Sequence, residues 1–255
     1  MTRKTSTSWE PVEDWYKAAV GKEGHTYHKE VVLPGLLKLI KAFKPKCDSL
    51  VDLACGQGVL ARNLPPQVRY VGVDLSPSLV TYAKNNDKQR THRYFVGDIT
   101  DPKLDAGSER FDCCTIVLAI QNVENALAAF QNAARFLKDD GKLFIVMNHP
   151  SFRIPRQSSW GVDEQKKLQY RRMEGYMSAM KIPIQMHPSK GDDSAVTISF
   201  HHPLSSYAQW LQQAGFCIET MEEWCSTKES TGRTAKMENR SRKEFPLFLT
   251  LVARK

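Results

Sequence analysis

Between about Ser49 and Val146, short apolar runs alternate with segments in which apolar residues recur every three to four positions. That is the pattern of βαβ units around a parallel sheet. The runs Ser49–Ala54, Arg69–Asp74, Arg93–Gly97, Phe111–Leu118 and Lys142–Met147 are rich in Val, Ile, Leu, Phe and Cys with little alternation, as expected of strands buried on both faces. After the second run, Ser76 can cap a helix whose first residue is Pro77, with Leu79, Val80 and Ala83 as its apolar stripe. After the fourth, Leu127, Phe130, Ala134 and Leu137 recur at helical spacing until Asp139-Asp140-Gly141 stops the helix.

Residues 151 to about 195 break this rhythm. The segment is polar, contains Pro155, Pro183 and Pro188, and predicts one helical stretch near Asp163–Met180 with Met173, Met177 and Met180 sharing a face with Tyr176. An insertion at this point of an α/β sheet sits above the carboxyl ends of the strands, where ligands bind, so 151–195 is expected to form a lid-like cover. The pattern resumes with Val196–His201, a helix from Ser205 through Trp210 to a Gly215 stop, and the run Phe216–Met221. After a basic, polar stretch from Ser226 to Lys243 the chain ends in Phe245–Ala253, and the two last runs predict a closing antiparallel hairpin.

Length and composition narrow the picture. A chain of 255 residues, 41% hydrophobic, can build one sizeable core, so residues 1–255 are expected to form one domain, with 1–15 flexible. The most apolar early run, Val31 to Phe43, is interrupted by Pro34, Lys38 and Lys41 and falls short of the ~20 apolar residues of a membrane span. The polar first eight residues do not read as a signal peptide, and a cytoplasmic location is expected. Six cysteines form no CxxC pair and no zinc spacing; buried reduced thiols are the simplest reading, and no metal site is expected. The formal net charge of +8 raises the prospect of a polyanionic partner without specifying one.

The chemistry concentrates in Val51-Asp52-Leu53-Ala54-Cys55-Gly56-Gln57-Gly58, a strand running into a glycine turn and then a short helix expected near Val59. Gly56 and Gly58 let the backbone turn tightly beside a ligand, and a helix amino terminus there favours an electron-rich group. Alone this is weak. An acidic residue, Asp74, ends the next strand, placed to accept hydrogen bonds from both ribose hydroxyls of an adenosine. Gly97-Asp98-Ile99 follows the third strand, where Asp98 can accept from an adenine amino group and Ile99 can pack on the ring. A nicotinamide dehydrogenase would share the glycine turn and the acidic strand end but not require Asp52 or Asp98; Ala61 stands where its third glycine would fall.

Val51–Gly58, Val71–Leu75, Gly97–Asp101 and Phe111–Val123 resemble the successive motifs of class I S-adenosylmethionine-dependent methyltransferases of the methyltransferase-11 or UbiE-like group. The likeness extends to Leu137–Met147, His149–Phe152, Phe200–Gly215 and Glu244–Lys255, from about Tyr16 onward. It implies a Rossmann-like α/β sandwich with a mostly parallel seven-stranded sheet, and S-adenosyl-L-methionine as cofactor. It also implies that Asp52, Gly56 and Gly58 line its methionine part, Asp74 and Leu75 the ribose and adenine, and Asp98 and Ile99 the adenine edge, with Ala54 and Gln57 also in the cofactor site. Ala119 and Gln121 would lie near the sulfonium. Two positions depart from the family: Ala54 where a glycine is common, and Ser151 where a cysteine is common before Phe152.

Methyl transfer from a sulfonium needs alignment and exclusion of water, with a base only where the acceptor must lose a proton. His149 is the expected base, with His28, His201 and His202 as alternatives. A small-molecule acceptor is expected, on an O, N or C atom. An RNA or protein acceptor is the alternative, resting on the charge and on Arg233–Lys243, and a non-catalytic S-adenosylmethionine-binding protein is a third.

Overall fold

The computed structural model describes residues 9–10, 21, 24–43, 46–185, 194 and 196–255. The expectation of a flexible 1–15 and the motif start at Tyr16 lie largely outside them. Five strands alternate with helices through the first part of the chain: β1 (Ser49–Leu53), β2 (Arg69–Asp74), β3 (Arg93–Val96), β4 (Phe111–Val117) and β5 (Leu137–Asn148). Strands β6 (Ser158–Asp163), β7 (Leu168–Met173), β8 (Met180–Gln185) and β9 (Val196–His201) follow, and β10 (Cys217–Trp224) and β11 (Phe248–Arg254) close the fold.

Seven strands form one sheet in the order β10-β11-β5-β4-β1-β2-β3. β1 to β5 pair in parallel, and β11 inserts antiparallel between β5 and β10. This is the Rossmann-like sandwich with its antiparallel C-terminal hairpin.

Helices cover both faces. On one, α1 (Leu33–Ala42) buries Leu33, Leu36 and Ile40, and α2 (Pro77–Asn86) buries Val80 and Ala83 against Tyr70, Phe144 and Val252. On the other, α3 (Ala126–Phe136) and α4 (Leu204–Gln213) pack Phe130, Ala133, Tyr207 and Leu211 against Val51, Ile116, Ile145 and Leu251. Burying such side chains contributes about 1.5–3 kcal/mol each. Ser76 caps α2 through its hydroxyl, which accepts from Leu79 N–H at 3.2 Å, with Pro77 in the first turn. No helix among the described residues is long and apolar enough to cross a membrane.

Several expectations need correction. The third helix is rotated: Ala126, Ala129, Phe130, Ala133 and Phe136 face the core, and the helix ends at Phe136, so Leu137 already belongs to β5. Asn125 sets that register by capping, its side chain accepting from Ala128 N–H at 3.0 Å. The helix expected near Asp163–Met180 is absent. The segment instead forms the antiparallel hairpin β6-β7, in which Asp163 Oδ1 accepts from Lys166 N–H at 2.9 Å and Lys167 takes a left-handed conformation (φ 51°) to close the turn. An Asx turn and alternating apolar and polar positions in Leu168–Arg171 outweigh helical spacing of the methionines. Met177 is exposed, and Tyr176 accepts through its hydroxyl from Leu204 N–H at 3.0 Å.

β9 pairs with β8 and not with the main sheet. The basic stretch near the C-terminus contains a helix, α5 (Ala235–Glu244), docked on β7 by the Ser241 hydroxyl, which donates to Gln169 O at 2.9 Å. The thiols are not all buried: Cys47 and Cys113 lie side by side with Cα atoms 6.0 Å apart, and Cys217 is exposed.

Candidate functional site

Asp74, the last residue of β2, organises the carboxyl edge of the sheet. Its buried carboxylate accepts from Gly56 N–H at 2.8 Å through one oxygen and from Ser76 N–H at 2.9 Å through the other. The first bond ties the turn after β1 to the end of β2, and Cys55 N–H adds a second tie by donating to Val73 O at 2.9 Å. The turn is left-handed at Ala54 (φ 62°) and Gly56 (φ 55°), a conformation that costs an L-residue about 1–2 kcal/mol and glycine nothing. Burial raises the pKa of Asp74, and the backbone N–H bonds of Ser76 and Gly56 oppose that rise. Each carboxylate oxygen keeps a further lone pair for a ligand hydroxyl.

One strand further, Asp98 is exposed, and its Oδ1 accepts from Thr100 N–H at 2.8 Å and from the Thr100 hydroxyl at 2.7 Å. Ile99 beside it is buried, and Leu75 is half open. Asp74, Leu75, Asp98 and Ile99 line one end of a cleft of about 1110 Å³, together with Ala54, Gly56, Ala119 and Gln121. Ordinary small-molecule sites run from about 300 to 1,000 Å³, so this cleft is large for one ligand. Eight of the expected cofactor residues therefore meet in a single cavity wall.

Three do not line it. Asp52 is buried behind the turn, accepting from the Tyr70 hydroxyl at 2.9 Å and the Thr115 hydroxyl at 2.7 Å. Burial pushes its pKa up to about 7, those two hydrogen bonds oppose the rise, and Asp74 adds to it. Gln57 is fully buried and donates through its amide to Gly21 O. Gly58 packs against α2: a Cβ there would stand 3.0 Å from Ala83 Cβ and from the Tyr94 hydroxyl oxygen, at φ +74°. The helix expected at Val59 is only a turn and a 3-10 segment, Ala61–Asn63, because Leu64 is already extended ahead of Pro65. Its amino terminus cannot act as a helix-dipole cradle.

His149 stands apart as well. Its Nδ1 accepts from Ser151 N–H at 3.2 Å and its Nε2 meets Glu223 Oε1 at 2.7 Å. Both ring nitrogens are used and the side chain is almost fully buried. Burial lowers its pKa and Glu223 opposes the shift. The ring tethers the end of β5 to β10 and is not among the cleft-lining residues. His201 donates through Nε2–H to Tyr176 O at 2.8 Å, and with His202 it is not among the cleft-lining residues. His28 does line the cleft, in the π-helical stretch His28–Val32 that leads into α1. Its pKa is lowered to about 4 by burial and by His25, so the ring is neutral near pH 7.

The other end of the cleft is built by residues the sequence did not single out. Arg153, Ile154, Arg156 and Ser158 follow β5, Arg171 comes from β7, and Ile184, Thr197 and Ser199 come from β8 and β9. The inserted segment thus supplies a wall of the cavity. The available signal was a pair of arginines flanking Pro155 just past a strand end. Left-handed backbone recurs here: Ala54, Leu118 (φ 52°) and Arg156 (φ 61°) all line the cleft, as strained residues at ligand sites do.

The wall formed by β1 to β4 suits a nucleoside: carboxylates at two successive strand ends to accept from hydroxyl and amino groups, with Leu75, Leu79 and Ile99 for a ring face. Comparison with known proteins agrees. Residues 51–145 match the family model described as a methyltransferase domain. A ubiquinone biosynthesis O-methyltransferase of Coxiella burnetii is 30% identical over 145 residues, 55% of this chain and 59% of the relative; the chain thus spans less than two thirds of that relative's length. An S-adenosylmethionine-dependent methyltransferase structure from Mesorhizobium loti aligns with TM-score 0.66 and 22% identity over 86% of this chain and 96% of that one. CalS10, an amino pentose methyltransferase from Micromonospora echinaspora solved with S-adenosylmethionine bound, aligns with TM-score 0.61 and 18% identity over 94% and 95%. These two structures share the fold.

Proposed function

We propose that this chain, which carries a class I S-adenosylmethionine-dependent methyltransferase domain of the methyltransferase-11 or UbiE-like group, methylates an O, N or C nucleophile of a small molecule. The observation that carries this reading is one continuous cleft with strand-end carboxylates at one end and the inserted hairpins at the other. Its volume is room for a donor and a modest acceptor together. The name of the Coxiella relative, a quinone-pathway O-methyltransferase, supports a small acceptor. The basic segment that favoured RNA is partly consumed by the fold, since Arg242 pairs with Glu238 at 3.3 Å and Ser241 docks on β7.

Asp74, held by two backbone N–H groups, would accept from the ribose hydroxyls, and Asp98 from the adenine amino group, with Leu75 and Ile99 against the ring. S-adenosylmethionine supplies, when bound, an electrophilic methyl group on a sulfonium. Ala119 and Gln121, past β4, line the same cleft, and the Gln121 amide is fixed by donating to Leu118 O at 2.7 Å. The hairpins exclude water from the acceptor. Where the acceptor must lose a proton, His28 is the expected histidine that lines the cleft, and its pKa of about 4 makes it a weak base.

Calorimetric titration with S-adenosylmethionine, S-adenosylhomocysteine and NAD tests the donor site, and a mass-spectrometric screen of phenols, amines and acids tests the acceptor. Tight binding of the sulfur ligands with methylation of a small molecule supports the reading. Preference for NAD overturns it; methylation of RNA or protein alone overturns the acceptor; donor binding without turnover on any class marks a non-catalytic binder.

A further inference from the structure

The acceptor end of the cleft carries positive charge that no carboxylate among the described residues pairs with. Arg153 and Arg171 both line it, and neither forms an ion pair with a carboxylate among the described residues. The acids of the same wall are otherwise placed. Asp74 and Asp98 belong to the nucleoside end, and Glu124 pairs with Lys181 at 3.0 Å.

The two guanidinium groups are differently held. Arg171 is fixed: its Nε donates to Phe152 O at 2.8 Å, its Nη2 to the Ser158 hydroxyl at 2.7 Å, and its Cζ lies 5.2 Å from the centre of the Trp160 ring. Arg153 has its backbone anchored, N–H to His149 O at 2.8 Å, while its side chain is open to solvent within the cleft and has no hydrogen-bond partner among the described residues. Both line the same cleft, and burial first, then the charge of Arg153, lowers the pKa of Arg171. Two like charges kept together in a partly desolvated cavity are unfavourable until an anion lies against them. The planar guanidinium fork matches the two oxygens of a carboxylate or phosphate.

We infer that Arg153 and Arg171 form an anion subsite for a carboxylate or phosphate group of the methyl acceptor, so that the substrate is an acidic small molecule. This rests on the reading of that end of the cleft as the acceptor site. It assigns the rigid Arg171 to set the anion's position and the freer Arg153 to close on it.

The test uses the full chain and two probes, 4-hydroxybenzoate and phenyl phosphate, with 4-hydroxybenzamide as the neutral control. Each is titrated calorimetrically into the protein with and without saturating S-adenosylhomocysteine. The expected result is binding of an anionic probe at least roughly tenfold tighter than the amide, falling roughly tenfold or more in Arg153→Gln. S-adenosylhomocysteine affinity should be unchanged in that variant, which also shows that it is folded. Arg153→Lys keeps the charge but not the fork and should fall between the two. The tighter of the two probes identifies carboxylate or phosphate. Equal binding of acid and amide, or no loss in Arg153→Gln, overturns the subsite and leaves methyl transfer standing. Absence of S-adenosylhomocysteine binding overturns the donor site instead, and the probe titrations without it still decide the anion site.

Discussion

The two ends of the cleft are made in different ways. At the nucleoside end, a buried carboxylate accepts from the N–H groups of Gly56 and Ser76, and every participant lies at a strand end or in the turn that follows. At the end proposed for the acceptor, side chains reach in from the segment after β5 and from β7, β8 and β9, and arginine charge is left without a carboxylate among the described residues. A donor common to many reactions calls for a rigid, backbone-defined seat. An acceptor particular to one reaction is met by side chains on added hairpins, which can vary without disturbing the sheet.

The largest effect that would sharpen this contrast is at Asp74. Asp74→Ala removes the acceptors for Gly56 and Ser76 and, in the proposed site, those for the ribose. With charge-assisted hydrogen bonds contributing about 1.5–3 kcal/mol each, affinity for S-adenosylhomocysteine should fall by roughly 10³-fold or more in calorimetry. Arg153→Gln should leave that affinity alone. Similar losses in both variants would mean that the two ends are not separable.

Asp52 gives the next effect, and it is on stability. Its folded pKa, pushed to about 7 by burial, stands above the unfolded value of about 3.9. The group is protonated in both states below about pH 4. As pH rises from there through about 7 the unfolded chain ionises first, and stability is lost, by about 4 kcal/mol in all, levelling off above pH 7. Asp52→Asn stays neutral and can still bridge the Tyr70 and Thr115 hydroxyls, so it should be the more stable protein at pH 8 and lose that advantage by pH 4. Urea denaturation at several pH values reads this directly. Parallel curves for the two proteins would show that Asp52 is ionised when folded, as a ligand-facing role requires.

What could be read from the sequence follows the same division. Ser76 and Pro77 marked their helix start because capping is a contact over three residues, and Asp74 and Asp98 marked the site because strand ends in a parallel sheet fall on one edge. The hairpin β6-β7 was hidden: methionines at helical spacing competed with an Asx turn at Asp163, and the turn won once α5 docked behind β7. The burial of Asp52 was hidden too, since its partners Tyr70 and Thr115 come from neighbouring strands. His149 looked chemical beside Pro150 because its partner Glu223 is 74 residues away. His149→Asn should therefore lower stability by about 1–2 kcal/mol in urea melts, the usual scale for a buried charge-assisted bond, with S-adenosylhomocysteine affinity within about twofold of the parent. A folded variant of full stability whose turnover has collapsed would return His149 to the chemistry.

The smallest effect comes from the strain within the donor turn itself. Ala54 holds φ at 62° where the family commonly has glycine. An L-residue there costs about 1–2 kcal/mol, while glycine adds back about 0.5–1 kcal/mol of unfolded-chain entropy. Ala54→Gly should thus stabilise the protein by about 0.5 kcal/mol, a small upward shift of the urea midpoint. Because Asp74 already clamps Gly56, the relief should appear in stability and not in S-adenosylhomocysteine affinity. A fall in affinity with a gain in stability would mean that the strained alanine stiffens the seat, and that its departure from glycine serves binding.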